Sequence, residues 1–445
     1  MNIQQTSDRK HAIVIGGSLG GLLTARVLSK HFEKVTILEK DKVHREPESR
    51  KGQSHTRHLH GLLPMGLNIM LSYFPGLVEE FESSGAGVVD FANSMQWYTH
   101  GGYRKKFHFG MKGVIASRPL MEHIVRERLL AIPNIELLDN YGVKQLIASN
   151  GNKKVSGVIT ERKDKGDTAS FDADLVIDTS GRGSRTGQWL KEMGYETPPL
   201  SEVKVNVSYA SRLYHRDPED PRGKTWIFNS PRAPFEYRAG GAFAIEGNRW
   251  IVTLGGWHHQ PIPETDADFA AYARSLPLVD VYDIVSTCKP ASEIMQYKYA
   301  SSLRRHYEKL KHFPAGYLVL GDAASSFNPI YGQGMTSAAM QAAALDELLE
   351  QSIGGEKLAK KFFARMARII DIPWGMAVGE DFRYPETTGP KPAGTDIVNK
   401  YVSLVHKATL KDKVVCEAFL KVMSLLKPPA SLFHPKIVWR VIRAR

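Results

Sequence analysis

The sequence predicts an α/β fold: a parallel-sheet domain assembled from separated segments, an inserted antiparallel sheet, and a helical C-terminal segment. Three observations predict it. A strand, a glycine turn, a helix and a second strand follow one another between residues 12 and 39. Two more apolar strands, at 175–177 and 317–320, each run into a loop that contains glycine. Between them, residues 201–257 carry alternating, β-branched and aromatic-rich runs.

Ala12 to Ile15 is a short apolar run suited to a fully buried strand. Gly16-Gly17-Ser18-Leu19-Gly20-Gly21 follows, then Leu22, Leu23, Val27 and Leu28 at helical spacing. Val35 to Leu38 forms the second strand and ends at Glu39, 23 residues after Gly16. Each part has a physical task in holding a dinucleotide. Gly16 permits a tight turn. A small residue at Ser18 lets the backbone approach a pyrophosphate, although the usual glycine is replaced there. Gly21 lets the helix pack closely on the sheet, and the helix N-terminus offers free N–H groups to the anion. Glu39 is placed to accept hydrogen bonds from an adenosine ribose.

Leu175-Val176-Ile177 leads into Asp178, Ser180, Gly181 and Gly183. Tyr317 to Leu320 leads into Gly321-Asp322, then Pro329, Gly332, Gly334 and Met335, and an Ala-rich helix is expected from Thr336 to about Gln351. Asp322 can present a carboxylate to a chain of hydroxyls. Backbone N–H groups near Gly332 and Gly334 can face a ring edge, and the helix adds its positive end.

Together these motifs resemble the FAD-dependent monooxygenases of the p-hydroxybenzoate hydroxylase type (group A). The segments GDAASSFNPIYGQGMTSAAMQA, RKGQSHTRHLHGLL and VIDTSGRGSRTGQWLKEMGY look nearest the squalene epoxidase and bacterial polyene epoxidase branch. The resemblance implies a Rossmann-like FAD-binding domain of GR2 type formed by 1–80, 110–195 and 290–352. It implies a substrate-binding sheet from 81–109 and 196–289, and a C-terminal helical region from 353–445. It further implies that Gly16, Ser18, Gly21 and Glu39 hold the ADP half of FAD, and that Arg118 approaches the flavin phosphates or the ribityl chain. Asp322 would bind the ribityl chain, and Pro329, Gly332, Gly334 and Met335 would line the flavin ring. Pro329, Gly332 and Gly334 form the catalytic loop, with no side-chain acid or base assigned.

The implied activity is insertion of one oxygen atom from O2 into a lipophilic substrate, by epoxidation or hydroxylation. It would proceed through a flavin C4a-hydroperoxide, with NAD(P)H as reductant. Ser180 departs from the family by standing where an aspartate precedes Gly181; Asp178 is a partial substitute or a strand-end cap. The alternative is an FAD-dependent reductase or dehydrogenase of isoprenoid-like double bonds. A halogenase is disfavoured because no W-x-W-x-I-P segment occurs.

Strands are expected at Ser201–Tyr214, Lys224–Asn229, Ala239–Ile245 and Arg249–Trp257, with additions at Met95–Tyr98 and Tyr103–Phe109. Trp97, Tyr98, Phe107, Phe109, Trp226, Phe228, Phe235, Tyr237, Phe243 and Trp257 are enough to line an apolar pocket or to form the sheet core. His55, His58 and His60 lie in a segment expected near the flavin. Contact with FAD or a structural role is favoured over a metal site or covalent attachment through His60, and no metal is expected.

The net charge is +12, but nine Lys or Arg and only two Asp or Glu fall between Tyr401 and Arg445. That is a basic tail rather than a basic protein, and no nucleic-acid-binding motif accompanies it. A break at Pro428-Pro429 precedes PKIVWRVIRAR, an amphipathic end that would either dock on the protein or rest peripherally on an anionic membrane. Pro385 to Gly394 reads as a loop. Two cysteines exclude a disulfide framework, and no apolar leader or membrane-spanning run is seen, so a cytoplasmic protein is expected.

Overall fold

The computed structural model describes residues 9–444. A five-stranded parallel sheet has the order Tyr317–Val319, Leu175–Asp178, His11–Ile15, Lys34–Leu38, Ile135–Leu138. Four of these strands were expected. Ile135–Leu138 was not, because its four residues mix an acid with three apolar side chains and give no period. Since the strands are parallel, their C-terminal ends share one edge. Gly16, Glu39, Ser180 and Asp322 follow those ends, so motifs separated by some three hundred positions meet in one crevice.

The glycine helix, Leu19–Leu28, packs on this sheet and against the helix Gly334–Glu350. Gly21 makes that packing feasible: a Cβ there would sit 1.9 Å from the Gly16 carbonyl oxygen and 2.8 Å from Thr179 Oγ1. Gly16 itself has φ +105°, a left-handed conformation that favours glycine.

The inserted sheet has eight strands, in the order Ser325–Ser326, Met295–Arg305, Leu200–His215, Arg249–Gly256, Arg238–Ile245, Trp226–Asn229, Met95–Thr99, Gly102–Tyr103. Three features differ from the sequence expectation. The strand Met295–Arg305 falls beyond the boundary expected at residue 290, yet it pairs with Leu200–His215 in this sheet. Trp226–Asn229 and Met95–Thr99 pair in parallel within an otherwise antiparallel array. Of the run 103–109 only Tyr103 is strand, as the end of Gly102–Tyr103. The rest is held differently: the Asp90 carboxylate accepts the N–H groups of Phe109 and Gly110, and Lys105 N–H donates to the Thr409 carbonyl.

The sheet separates two cores by its period of two. Ile227, Ala242, Ala244, Trp250 and Val252 face two helices, Asp266–Arg274 and Val279–Thr287, which the sequence reading did not foresee. Trp226, Phe243 and Ile251 face the opposite way and pack with Val405, Val415, Phe419 and Leu420 of the C-terminal helices.

Those helices are Gly355–Asp381, Thr395–Ala408, Lys413–Met423 and Pro435–Arg443, with the expected loop at 385–394 between the first two. The basic tail therefore docks on the protein through Ile437 and Val441, and leaves Trp439 and Ile442 exposed. No helix among the described residues is long and apolar enough to cross a membrane.

Gly21→Ala is predicted to destabilise the protein by about 1–3 kcal/mol, because the added methyl overlaps backbone that the sheet holds in place. Calorimetric unfolding of the two proteins checks this; an unchanged midpoint would show that the turn yields.

Candidate active site

A cavity of about 1200 Å³ runs from the crevice of the parallel sheet to the concave face of the eight-stranded sheet. It exceeds the ~300–1,000 Å³ usual for one small ligand, so there is room for more than one. Gly16, Ser18, Glu39, Arg118, Asp322, Pro329, Gly332, Gly334 and Met335 all line it. Gly21 does not; it serves the packing described above.

At the crevice end, Ser18 is the N-cap of the glycine helix, but its hydroxyl makes no cap hydrogen bond. It donates instead to Glu122 Oε1 at 2.5 Å. Arg118 Nε also donates to Glu122 Oε1, at 2.9 Å, and Arg118 Nη2 donates to Ser18 Oγ at 3.1 Å. Arg50 Nη2 reaches Glu122 Oε2 at 3.0 Å and the Gly17 carbonyl at 3.1 Å. Arg50 Nη1 pairs with Glu39 Oε2 at 2.7 Å, while Glu39 accepts the Gly17 and Asp41 N–H groups at 2.8 and 2.9 Å. Burial opposes the charge on Glu122, but Arg118 and Arg50 overcome it and hold the carboxyl down at about 2. Arg50 and Glu122 were missed by sequence reasoning. The i, i+4 spacing of Arg118 and Glu122 was the available signal.

Asp178 is not a substitute for the missing aspartate. It is fully buried, away from the cavity lining, and accepts from Ser180 N–H at 2.8 Å, Ser184 Oγ at 2.5 Å and Thr186 Oγ1 at 2.6 Å. It caps the turn, and Ser180 and Gly181 form the wall.

Asp322 has its carboxylate in the cavity, and no group among the described residues donates a hydrogen bond to it. Enclosure pushes its carboxyl upward, with Arg118 and Arg182 working against that. Beyond it, Gly332 has φ +69°, and a Cβ on Gly332 or Gly334 would meet no atom within 4 Å. Both therefore leave open space along the loop. The N-terminus of the helix Gly334–Glu350 ends on the same space.

A second node fixes the loop from behind. Asp381, the last residue of the long C-terminal helix, accepts from Asn328 Nδ2 at 2.9 Å, Tyr331 Oη at 2.9 Å and Trp257 Nε1 at 3.2 Å, all through Oδ1. Its Oδ2 is buried with no partner. Burial pushes the carboxyl up to about 7 despite these donors. Gln333 ties the loop to the helix Lys413–Met423 by donating to the Met423 carbonyl at 3.0 Å.

The histidine segment forms a short 3-10 turn at Ser54–Arg57, not a strand. His55, His58 and His60 all line the cavity. His58 Nδ1 meets Ser211 Oγ at 2.7 Å, and His60 Nδ1 meets the His58 carbonyl at 3.0 Å. Burial pushes His55 and His58 down to about 4 and His60 to about 3, so all three are neutral at pH 7. Among the described residues, no group of three or more His, Cys, Asp or Glu is arranged to hold a metal ion.

Of the ten aromatic candidates, Trp97, Trp226, Phe228, Phe243 and Trp257 line the cavity. Tyr98, Phe107, Phe109, Phe235 and Tyr237 do not, and Phe235 is 74% exposed. Three tyrosines that were not singled out, Tyr209, Tyr297 and Tyr299, also line it. The C-terminal helices close the far side with Met376, Phe419, Val422 and Met423.

No family model matches the chain. Protein Rv3254 of Mycobacterium tuberculosis is 29% identical over 440 residues, covering 94% of this chain and 90% of the relative. The flavin-dependent brominase Bmp2 superposes with a TM-score of 0.65 at 14% identity, over 98% of this chain and 100% of that one. PqsL from Pseudomonas aeruginosa, named as a probable FAD-dependent monooxygenase, superposes with a TM-score of 0.58 at 15% identity, over 84% and 98%. The chain has the fold of these flavoproteins. At such identities the likeness is one of architecture: the Rossmann-like parallel sheet and the large inserted sheet correspond.

Asp381 gives a pH signature. Its folded value, about 7, lies above the ordinary 3.8. The stability it contributes is therefore fully present below the ordinary value and is lost as pH rises through about 7. Relative to Asp381→Asn, the wild-type unfolding midpoint is expected to fall as the pH is raised from about 5 to about 8. Parallel curves for the two proteins would contradict the assignment.

Proposed function

We propose that this chain is an FAD-dependent monooxygenase that uses NAD(P)H as reductant and inserts one atom of O2 into a lipophilic substrate, by epoxidation or hydroxylation. The observation that carries the reading is the continuity of one cavity. It joins the glycine turn, Asp322 and the Pro329–Met335 loop to a compartment walled by aromatic and aliphatic side chains.

The residues fit the cofactor. An unpartnered carboxylate at Asp322 suits a ribityl hydroxyl, and the space that side chains on Gly332 and Gly334 would fill suits a flat ring edge. Gly16, Ser18, Glu39 and Arg118 would hold the ADP half, and Gly21 sets the close helix–sheet contact behind it. Arg118 brings a positive charge to the phosphates. Pro329, Gly332, Gly334 and Met335 would line the ring. FAD, when bound, supplies hydride acceptance from the nicotinamide and activation of dioxygen for transfer to the substrate.

The chain's own contribution is positioning. The N-terminus of the helix Gly334–Glu350 favours negative charge where the loop meets the ring. Asp381 and Gln333 keep that loop from shifting. Trp97, Trp226, Phe228, Phe243 and Trp257 exclude water from the substrate. Epoxidation needs no strong protein base, which agrees with the weakened basicity of the buried imidazoles of His55, His58 and His60. Exposed Trp439 and Ile442 beside Arg443 support a peripheral contact of the C-terminal helix with an anionic membrane, a source of lipophilic substrate.

The test is spectroscopic. The purified protein is expected to show flavin absorption that bleaches on adding NADPH without oxygen. Asp322→Ala is expected to weaken FAD retention about tenfold by removing a charged hydrogen-bond acceptor. Absence of flavin bands after reconstitution with FAD would overturn the reading.

A further inference from the structure

The far end of the cavity holds a polar group that nothing in the flavin reading uses. We propose that the stacked imidazoles of His100 and His406, backed by Arg104, form a subsite for the carboxylate or phenolate oxygen of an otherwise apolar substrate. The proposal rests on the reading of this compartment as the substrate site.

His100 occupies the turn between Met95–Thr99 and Gly102–Tyr103 and has φ +50°, a left-handed conformation that a non-glycine residue adopts only at a cost. That backbone places its ring against His406 of the helix Thr395–Ala408, with centroids 5.0 Å apart and planes at 7°. His100, His406, Glu380 and Arg383 all line the cavity.

The hydrogen bonds fix what His406 can do. Arg104 Nη2 donates to His406 Nδ1 at 2.7 Å, so the ring proton resides on Nε2. His406 Nε2 stands 3.8 Å from Glu380 Oε1, too far for a hydrogen bond. Glu380 is already held by Arg383 through Nε at 2.7 Å and Nη2 at 3.0 Å. Glu380 is the carboxylate nearest that N–H, and among the described residues no acceptor lies within hydrogen-bond distance of it at the cavity wall.

Charge points the same way. Arg104 is buried between the faces of Trp97 and Phe419, 4.2 Å from each ring centroid. It donates to Thr409 Oγ1, its Nε has no acceptor, and no carboxylate of the described residues lies within ion-pair distance. The charged groups that act on the two histidines are Arg104, Arg383 and Glu380, an excess of one positive charge. Burial lowers both histidines and takes His100 to about 3, so the imidazoles are neutral donors rather than cations. A buried cation without a counter-ion is unfavourable, and an anionic ligand relieves it. The approach is apolar, through Phe228, Val422 and Met423, which matches a hydrocarbon body ending in an acidic group.

Calorimetric titration of the full-length, FAD-loaded protein with decanoic acid and with 1-decanol, under conditions where the acid is ionised, tests this. The acid is expected to bind at least about tenfold more tightly than the alcohol. His406→Phe should abolish that preference, while His406→Gln, which keeps an N–H donor, should retain most of it. Equal binding of acid and alcohol by the wild type, or an intact preference in His406→Phe, would overturn the proposal. Flavin absorbance recorded on the same samples separates the two readings. Protein that holds FAD without preferring the acid refutes the subsite alone, and protein that prefers the acid without holding FAD refutes the flavin reading alone.

Discussion

A single guanidinium, that of Arg50, stands between two buried carboxylates beneath the glycine turn. Everything at the crevice end depends on it. Glu39 is aimed by Arg50 and by the Gly17 N–H, so the acid at the end of the second strand is set relative to the turn at the end of the first. Glu122 in turn orients Ser18 and Arg118. Glu122 is held charged at such depth by Arg118 and Arg50 together, and removing one member of a buried ion pair typically costs about 3–5 kcal/mol. The serine that would ordinarily cap the helix is spent on Glu122, which also accepts the Leu19 N–H at 3.4 Å.

The parallel sheet and its glycine turns were legible because their signals are local. A β-branched run, a glycine at a left-handed position and a helical apolar stripe all lie within a few residues of one another. Of the nine candidate residues that line the cavity, Gly16, Ser18, Glu39, Asp322, Gly332 and Gly334 come from that kind of signal, and Arg118, Pro329 and Met335 from the family resemblance; Gly21, expected both to pack the helix and to hold the ADP half, serves the packing and lies off the lining. What escaped was set by distance. Arg50 looks like any surface arginine in ESRKGQSH, and only the fold brings it to Glu39 and Glu122. Asp381 ends a helix and titrates abnormally because elements distant in the chain bury it, while the donors Asn328, Tyr331 and Trp257 work against the shift.

The misplacements have the same origin. Met295–Arg305 has ordinary strand character, and nothing in it declares which sheet it joins; its pairing with Leu200–His215 decides that. The run 103–109 alternates well enough for a strand, but the Asp90 carboxylate takes its N–H groups before a neighbouring strand can. Half of the aromatic candidates do not line the cavity: sheet alternation sends Tyr98 to the opposite core, while Phe107, Phe109, Phe235 and Tyr237 lie outside the strands. Phe419, Val422 and Met423 went unnoticed because the C-terminal segment reads as an independent amphipathic helix.

That last segment matters in the order of time. The glycine turn leaves the ribosome first, and the parallel sheet can form once residue 319 has emerged. Asp381, His406 and Phe419 arrive much later. A nascent chain up to residue 350 thus holds the crevice residues beside a compartment that lacks the wall formed by Met376, Phe419, Val422 and Met423. The apolar compartment is closed on that side only when the helices between residues 355 and 423 have joined it.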